Sequence, residues 1–148
     1  MLGLLVSLFN NLASESEART RLLTKFVEAE YEKVDRLLEL RASASSRLTA
    51  AQSTMKRERR DLRAAGLTAS AEDEEAVLYL RRLESGLFSL QLVDFILAWL
   101  CMEDDGVGEH VQMLFSRQGK SLQDVVEVLI GTSLLCLALL STLRLGPY

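Results

Sequence analysis

Residues 31–65 of this 148-residue chain read YEKVDRLLELRASASSRLTAAQSTMKRERRDLRAA. Because the stretch contains neither Gly nor Pro, it predicts one helix from Tyr31 to Ala65, about 50 Å long at about 1.5 Å per residue. Apolar residues recur along it at helical spacing: Val34, Leu37, Leu38, Leu48, Met55 and Leu62. Over residues 41–54, Ala and Ser occupy most positions of this stripe, which we call the Ala/Ser seam. Such small side chains permit close packing against a neighbouring helix but do not build a self-sufficient coiled coil. Other helices must therefore pack against this one.

Two shorter helices are predicted ahead of the long one. Apolar residues recur at helical spacing over residues 2–12, the pattern of an amphipathic helix. Ser14 and Ser16, followed by Glu17, supply an N-cap for a second helix that carries Phe26. The start of the chain therefore predicts two consecutive helices.

A fourth helix is expected over residues 72–101. One face of it is apolar: Val77, Leu80, Leu83, Leu87 and Leu90. From Leu87 onward, apolar residues including Phe88 occupy nearly every side, which is typical of a helix buried in a core or an interface. Gly86 lies inside this helix at a cost of about 1 kcal/mol relative to Ala, and close approach of another helix is its simplest explanation.

Opposite charges flank the break between the third and fourth helices. Cations cluster near the end of the long helix: Lys56, Arg57, Arg59, Arg60 and Arg63. Acidic residues open the fourth helix: Glu72, Asp73, Glu74 and Glu75. Because cations favour the C-terminal end of a helix and acids its N-terminal end, the two helices are predicted to form an antiparallel hairpin. Solvated helix ends are one interpretation of these nine side chains, and contact with a protein partner is the other.

Composition leaves little scope for catalysis. The chain is 49% hydrophobic and 6% aromatic with one Pro, which excludes a sheet-rich fold and predicts an all-α one. Its single His, His110, and its two Cys, Cys101 and Cys136, lack metal-ligand spacing. His110 is predicted on a helix surface, and Asp94 is interpreted as structural, with an enzyme built around Asp94 as an alternative. A net charge of −4 does not suit a duplex-binding protein. We predict no catalytic residue, metal, cofactor or direct nucleic-acid contact.

The last third of the chain predicts an acidic turn and two helices. The turn spans residues 103–108, a short helix spans residues 110–117, and Ser121 caps the final helix. Residues expected to face inward from the short helix are Val111, Leu114 and Phe115. Residues 128–143 form a run of sixteen uncharged residues, roughly 24 Å of helix against a hydrocarbon core of about 30 Å. This run favours a helix folded back on the domain, with a tail-anchored membrane protein as the alternative.

Three blocks carry a family resemblance: residues 19–26, 31–40 and 79–91, which read RTRLLTKF, YEKVDRLLEL and YLRRLESGLFSLQ. They resemble the C-terminal region of the β-catenin-like protein 1 family, and a weaker match continues through residues 110–115 and 119–122. The blocks are specific because they fix polar as well as apolar positions. The resemblance covers roughly residues 4–129.

The resemblance implies the C-terminal end of an armadillo-type α-solenoid closed by a helical cap. Residues 1–28 would end the last armadillo-like repeat, residues 29–128 would form the cap, and residues 129–148 would be a divergent apolar tail. The chain would then be a fragment of a nuclear, non-enzymatic scaffold of the splicing machinery. Its implied partners are spliceosomal proteins, including a Myb-like splicing factor. Self-association is a further expectation, and membrane binding is not expected.

Overall fold

The structure, a computed structural model, describes residues 1–67 and 70–143. Every regular element in that part of the chain is helical, as the composition predicts. The helices are α1 (Leu2–Asn11), α2 (Glu17–Val27), α3 (Glu32–Ala64), α4 (Ala71–Arg82), α5 (Phe88–Glu103), α6 (Asp105–Arg117) and α7 (Leu122–Leu143), and a π-helical turn, Leu83–Leu87, joins α4 to α5. The chain divides into two compact units, one formed by Met1–Leu37 with the chain from Gln91 onward, the other by Leu38–Leu90.

The long helix α3 has the predicted length, and its apolar stripe is buried with one exception. Val34, Leu37, Leu38, Leu48 and Met55 are buried, as is Ala44 in the Ala/Ser seam. Leu62, at the end of the same stripe, is 52% exposed. The prediction that the whole stripe packs inward is therefore wrong for the last turns of α3.

Gly86 marks a break that the sequence pattern does not show. The fourth helix was expected to be continuous over residues 72–101, whereas α4 ends at Arg82 and α5 begins at Phe88. Gly86 in the turn between them has φ +129°, a conformation that L side chains rarely adopt. An ideal Cβ built on Gly86 would lie 2.8 Å from the carbonyl oxygen of Ala44 on α3. The predicted close approach of another helix is confirmed, and the positive φ adds a second reason for Gly.

The π-helical turn also changes which side chains of α4 and α5 are buried. Leu87 and Leu90 are buried as expected, but Val77, Leu80 and Phe88 are 55%, 59% and 57% exposed. Gly86 in this turn has non-helical φ and ψ, so the helix is kinked there. The advance of about 100° per residue in a straight α-helix therefore does not carry over from α4 into α5. The assignments of Val77, Leu80 and Phe88 to the core are therefore wrong.

The unit that contains the chain start has an aromatic core. The Phe9 ring of α1 stacks on Trp99 of α5 at a centroid distance of 4.1 Å, and Phe26 of α2 lies 6.0 Å from Phe9. Side chains of α5 and α6 complete this core without solvent exposure: Val93, Ile96, Leu97, Leu100, Val107 and Val111. The predicted burial of Val111 and Phe115 is confirmed, whereas Leu114 is only half-buried.

N-caps set the starts of three helices. Ser16 accepts a hydrogen bond from the Arg19 backbone N–H at 3.2 Å, and Ser121 accepts one from that of Gln123 at 3.2 Å, as predicted. The acidic turn expected over residues 103–108 is wrong in extent. The Asp104 carboxylate accepts from the Val107 N–H at 2.8 Å, so α6 begins at Asp105. A strong Asp cap outweighs the low helix propensity of the two Gly residues that follow.

Candidate protein interaction surface

Helices α3 and α4 form the predicted antiparallel hairpin, and its charged ends meet. Glu74 in the first turn of α4 forms ion pairs with two cations near the end of α3. Its Oε1 lies 2.7 Å from Arg59 Nε, and its Oε2 lies 3.7 Å from an Arg63 guanidinium nitrogen. Because Glu74 is only 26% exposed, this is the most shielded carboxylate of the acidic group. The basic helix end and the acidic helix start are therefore paired within the hairpin.

A second ion pair joins the same helices with the charges reversed. Arg81 Nη1 on α4 lies 2.7 Å from Glu58 Oε2 on α3. A hydrogen bond from Arg81, followed by its charge, lowers the pKa of Glu58 below its ordinary value. Both side chains are 45% exposed, and ion pairs this accessible add little stability. The pair is a second polar contact between α3 and α4.

An apolar groove of about 230 Å³ lies between the two ion pairs. Its floor is formed by Met55 and Leu62 of α3 with Val77 and Leu78 of α4. Its charged rim consists of Glu58, Arg59, Asp73, Glu74 and Arg81. We call these nine residues the hairpin groove. Periodicity alone did not reveal it, because the pattern places Leu62 and Val77 in buried stripes.

The other candidate contact residues lie exposed near the same end of the hairpin. Lys56, Arg57, Arg60, Glu72 and Glu75 are all exposed. Arg60 has only a 4.0 Å contact with the carboxylate of its neighbour Asp61. The remaining candidate, Asp73, accepts a 2.6 Å hydrogen bond from Ser70, the N-cap of α4. The structure thus brings Arg59, Arg63 and Glu74 together and leaves most of the predicted charges accessible to a partner.

His110 is not the surface residue that the sequence predicted. Its side chain is 16% exposed, and its Nε2 lies 2.6 Å from Asp35 Oδ1 near the start of α3. The imidazole also stacks on the Tyr31 ring at 4.7 Å. These contacts tie α6 to the start of α3. Sequence reasoning could not find them because Asp35 and His110 are 75 positions apart.

Two further polar groups help to hold the core in place. Asp94 on α5 is fully buried and has an interaction partner there, which fits the structural role predicted for it. The Arg19 guanidinium lies 4.5 Å over the Trp99 ring and pairs with Glu103. It also donates to the Leu12 carbonyl oxygen at 3.0 Å. Arg19 therefore joins the end of α1 to α5 through a cation–π contact.

The described part of the chain has no grouped metal ligands and one helical stretch of membrane-spanning length. No three His, Cys, Asp or Glu side chains there are grouped to hold a metal ion. One helical stretch, residues 71–103, is long and apolar enough to cross a bilayer, but buried core helices meet the same criterion and nearly half of its apolar window is buried. The run 128–143 continues α7, and its side chains beyond residue 132 lie outside the described residues.

The regular elements of residues 1–67 and 70–143 are all helical, which is the fold class of armadillo-type proteins. A family model described as "Catenin-beta-like, Arm-motif containing nuclear" matches residues 1–130. The chain belongs to this family. The armadillo-type fold class and the resemblance drawn from residues 19–91 are thereby confirmed.

The chain is also similar to individual proteins that carry Beta-catenin-like names. Beta-catenin-like protein 1 of Homo sapiens and that of Mus musculus are each 35% identical over 128 residues. The Beta-catenin-like protein 1 homolog of Schizosaccharomyces pombe is 27% identical over 129 residues. The alignments cover 86–87% of this chain but only 22% of each relative. The chain therefore spans about a fifth of the length of the relatives it matches.

Proposed function

We propose that this chain is a non-enzymatic interaction segment of a nuclear, spliceosome-associated armadillo protein. The family match over residues 1–130 carries the proposal. In it, residues 1–28 end an armadillo-like repeat, residues 29–128 form the helical cap, and residues 129–148 form an apolar tail. No catalytic residue or cofactor is assigned. The nuclear description of the family favours this function over a tail anchor at residues 128–143.

The exposed side of α1 supports the assignment of residues 1–28. Leu4 and Leu8 are 68% and 39% exposed, while Phe9 on the opposite side is buried. In an armadillo stack each repeat is covered by its neighbour, and a terminal repeat needs a cap. The apolar outer side of α1 therefore suits contact with a preceding repeat, and the aromatic core behind it suits a cap.

The charged end of the α3–α4 hairpin is the proposed contact surface for spliceosomal partners, including a Myb-like splicing factor. It presents the accessible cations Lys56, Arg57 and Arg60 beside the acids Glu72 and Glu75. Because these side chains are exposed, a partner could pair with them without breaking the Arg59–Glu74 ion pair. Rim charges of this kind mainly govern specificity and association rate.

Affinity purification from nuclear extract with quantitative mass spectrometry tests this proposal. We expect the full chain to enrich spliceosomal proteins, and the double variant Arg57→Glu/Arg60→Glu to lose most of that enrichment. Arg47→Glu is the matched control, because Arg47 is an exposed cation of α3 outside the cluster. Equal recovery with the charge-reversed cluster would contradict the assigned surface. Absence of spliceosomal proteins from the unaltered sample would contradict the proposed function.

A further inference from the structure

Three consecutive residues between α2 and α3 have a left-handed backbone conformation. Ala29, Glu30 and Tyr31 have φ of +55°, +52° and +67°. None of them is Gly, Asn or Asp, the residues that visit this region readily, so each carries a steric cost. The chain has neither Gly nor Pro from residue 4 to residue 65, so no helix-breaking residue separates α2 from α3. The break between the two helices is therefore imposed by tertiary contacts.

The side chain of Tyr31 makes one set of these contacts. Its ring stacks on the His110 imidazole at 4.7 Å. An ideal Cβ built on Gly106 would lie 2.6 Å from the Tyr31 hydroxyl oxygen, so the ring occupies space in the first turn of α6 that only Gly leaves open. His110 Nε2 also lies 2.6 Å from Asp35 Oδ1, one turn further along α3. These contacts hold the end of the left-handed turn against α6.

A second set of contacts holds α1 and α2 against α5. The Phe9 ring and the Arg19 guanidinium both lie on the Trp99 ring, at 4.1 Å and 4.5 Å. The ion pairs of Glu28 across the turn itself are accessible to solvent and add little stability. The contacts of Tyr31 with α6 and those of Trp99 with α1 and α2 therefore keep the turn in its strained conformation.

The turn has a relaxed alternative that the sequence allows. Within the described chain, the backbone N–H groups of residues 29–31 donate no backbone hydrogen bond. In a right-handed helix the same groups would donate to the carbonyl oxygens of Lys25, Phe26 and Val27. Because α2 and α3 are already formed, joining them needs no new helix nucleus. Release of α1 and α2 from α5 would thus remove three unfavourable φ values and add hydrogen bonds.

Strained backbone persists only where the surrounding structure enforces it, and it is concentrated at switch regions. We infer that residues 29–31 form a strained hinge. The hinge is bent while α1 and α2 pack on Trp99, and it straightens to join α2 and α3 in one continuous helix when they leave Trp99. It lies at the proposed boundary between residues 1–28 and residues 29–128, but it depends only on contacts within this chain and not on a splicing partner.

A matched pair of Gly substitutions tests the strain. Ala29→Gly replaces a left-handed Ala and should raise Tm by roughly 2–4 °C. Ala50→Gly, at an exposed helical position of α3, should lower Tm by a similar amount, because Gly is unfavourable inside a helix. An unchanged or lower Tm for Ala29→Gly would overturn the inference.

Double electron–electron resonance between two spin labels tests the straightened state. The labels are attached at Glu17→Cys on α2 and Ser43→Cys on α3, two exposed positions, in a chain that also carries Cys101→Ser and Cys136→Ser. In one continuous helix these positions would be about 39 Å apart, at about 1.5 Å per residue. Any bend between α2 and α3 shortens this distance, so the unaltered chain should show a shorter one.

Phe9→Ala combined with Arg19→Ala removes both side chains that lie on Trp99. In the labelled chain this double substitution should add a narrow population at about 39 Å. A broad distribution would indicate a flexible linker and would overturn the inference, as would an unchanged distance. Ala29→Gly and Glu30→Gly, added to the same chain, should reduce the 39 Å population because Gly disfavours the helix. An undiminished population would also overturn the assignment of the hinge to residues 29–31.

Discussion

Replacing Gly86 with Ala tests the packing of the π-helical turn on α3. Two costs follow from the geometry. The φ of +129° is unfavourable for Ala, at about 1–3 kcal/mol for a residue held in such a region. The new Cβ would lie 2.8 Å from the Ala44 carbonyl oxygen, and overpacking of this kind costs about 1–3 kcal/mol. Ala also lowers the conformational entropy of the unfolded chain, which offsets about 0.4–1 kcal/mol of this destabilisation.

The net destabilisation of the Gly86→Ala variant is therefore about 3 kcal/mol. At about 2–4 °C per kcal/mol for a chain of this size, Tm should fall by roughly 6–12 °C. Thermal unfolding followed by far-UV circular dichroism measures the shift. Because the contact involves a backbone oxygen of α3, a side-chain rotation cannot relieve it.

Gly66→Ala is the matched control for this experiment. Gly66 has φ +74°, but an added Cβ would meet nothing within 4 Å. Its substitution therefore carries the conformational cost alone, about 1–2 kcal/mol. The difference between the two variants contains the contact between Gly86 and Ala44 together with the higher conformational cost of φ +129° over φ +74°. Equal Tm shifts for Gly86→Ala and Gly66→Ala would refute the explanation from close packing.

Three further outcomes are expected. Leu87→Ala should lower the free energy of chemical unfolding by about 2–5 kcal/mol, because Leu87 is buried. Phe88→Ala should change it by no more than about 0.5 kcal/mol, because Phe88 is exposed. Similar values for the two variants would contradict the burial described for α5. Arg81 lowers the pKa of Glu58 below its ordinary 4.5. The pair therefore stabilises the fold above pH 4.5, and this stabilisation is lost as the pH falls through the lowered pKa. Glu58→Gln should flatten this part of the plot of stability against pH, and an unchanged slope would count against the pair. Deletion of residues 129–148 should leave subcellular fractionation unchanged, and a carbonate-resistant membrane fraction that vanishes with the deletion would support the tail anchor instead.

The sequence predicts where the helices of this chain lie better than it predicts which side of each helix is buried. The length of α3 follows from the absence of Gly and Pro over residues 31–65, and Ser16 and Ser121 mark helix starts by local capping. The π-helical turn has no comparable signal, because Gly86 is compatible both with a straight helix and with a break. A constant helical repeat across such a turn places Val77 and Leu80 on the buried face of Leu87 and Leu90, and the structure does not keep them there. Phe88 is predicted in the core for another reason, because apolar residues surround it on nearly every side of the helix.

Contacts between distant segments account for the rest of what the sequence did not predict. Charge segregation indicated that the ends of α3 and α4 meet, but not that Glu74 binds both Arg59 and Arg63. The hairpin groove follows from incomplete packing between two helices, which a one-dimensional pattern does not record. The Asp35–His110 pair likewise depends on the tertiary fold.

The stacking of Phe9 and Arg19 on Trp99 has a practical consequence for spectroscopy. Trp99 is the single Trp of the chain and belongs to the unit that includes α1 and α2. Its fluorescence therefore reports only on that unit, while far-UV circular dichroism reports on all the helices together. Two unfolding curves that coincide would show that residues 38–90 and the remainder of the chain unfold as one cooperative system. Curves with different midpoints would show that the two units differ in stability, and the experiment needs no added label.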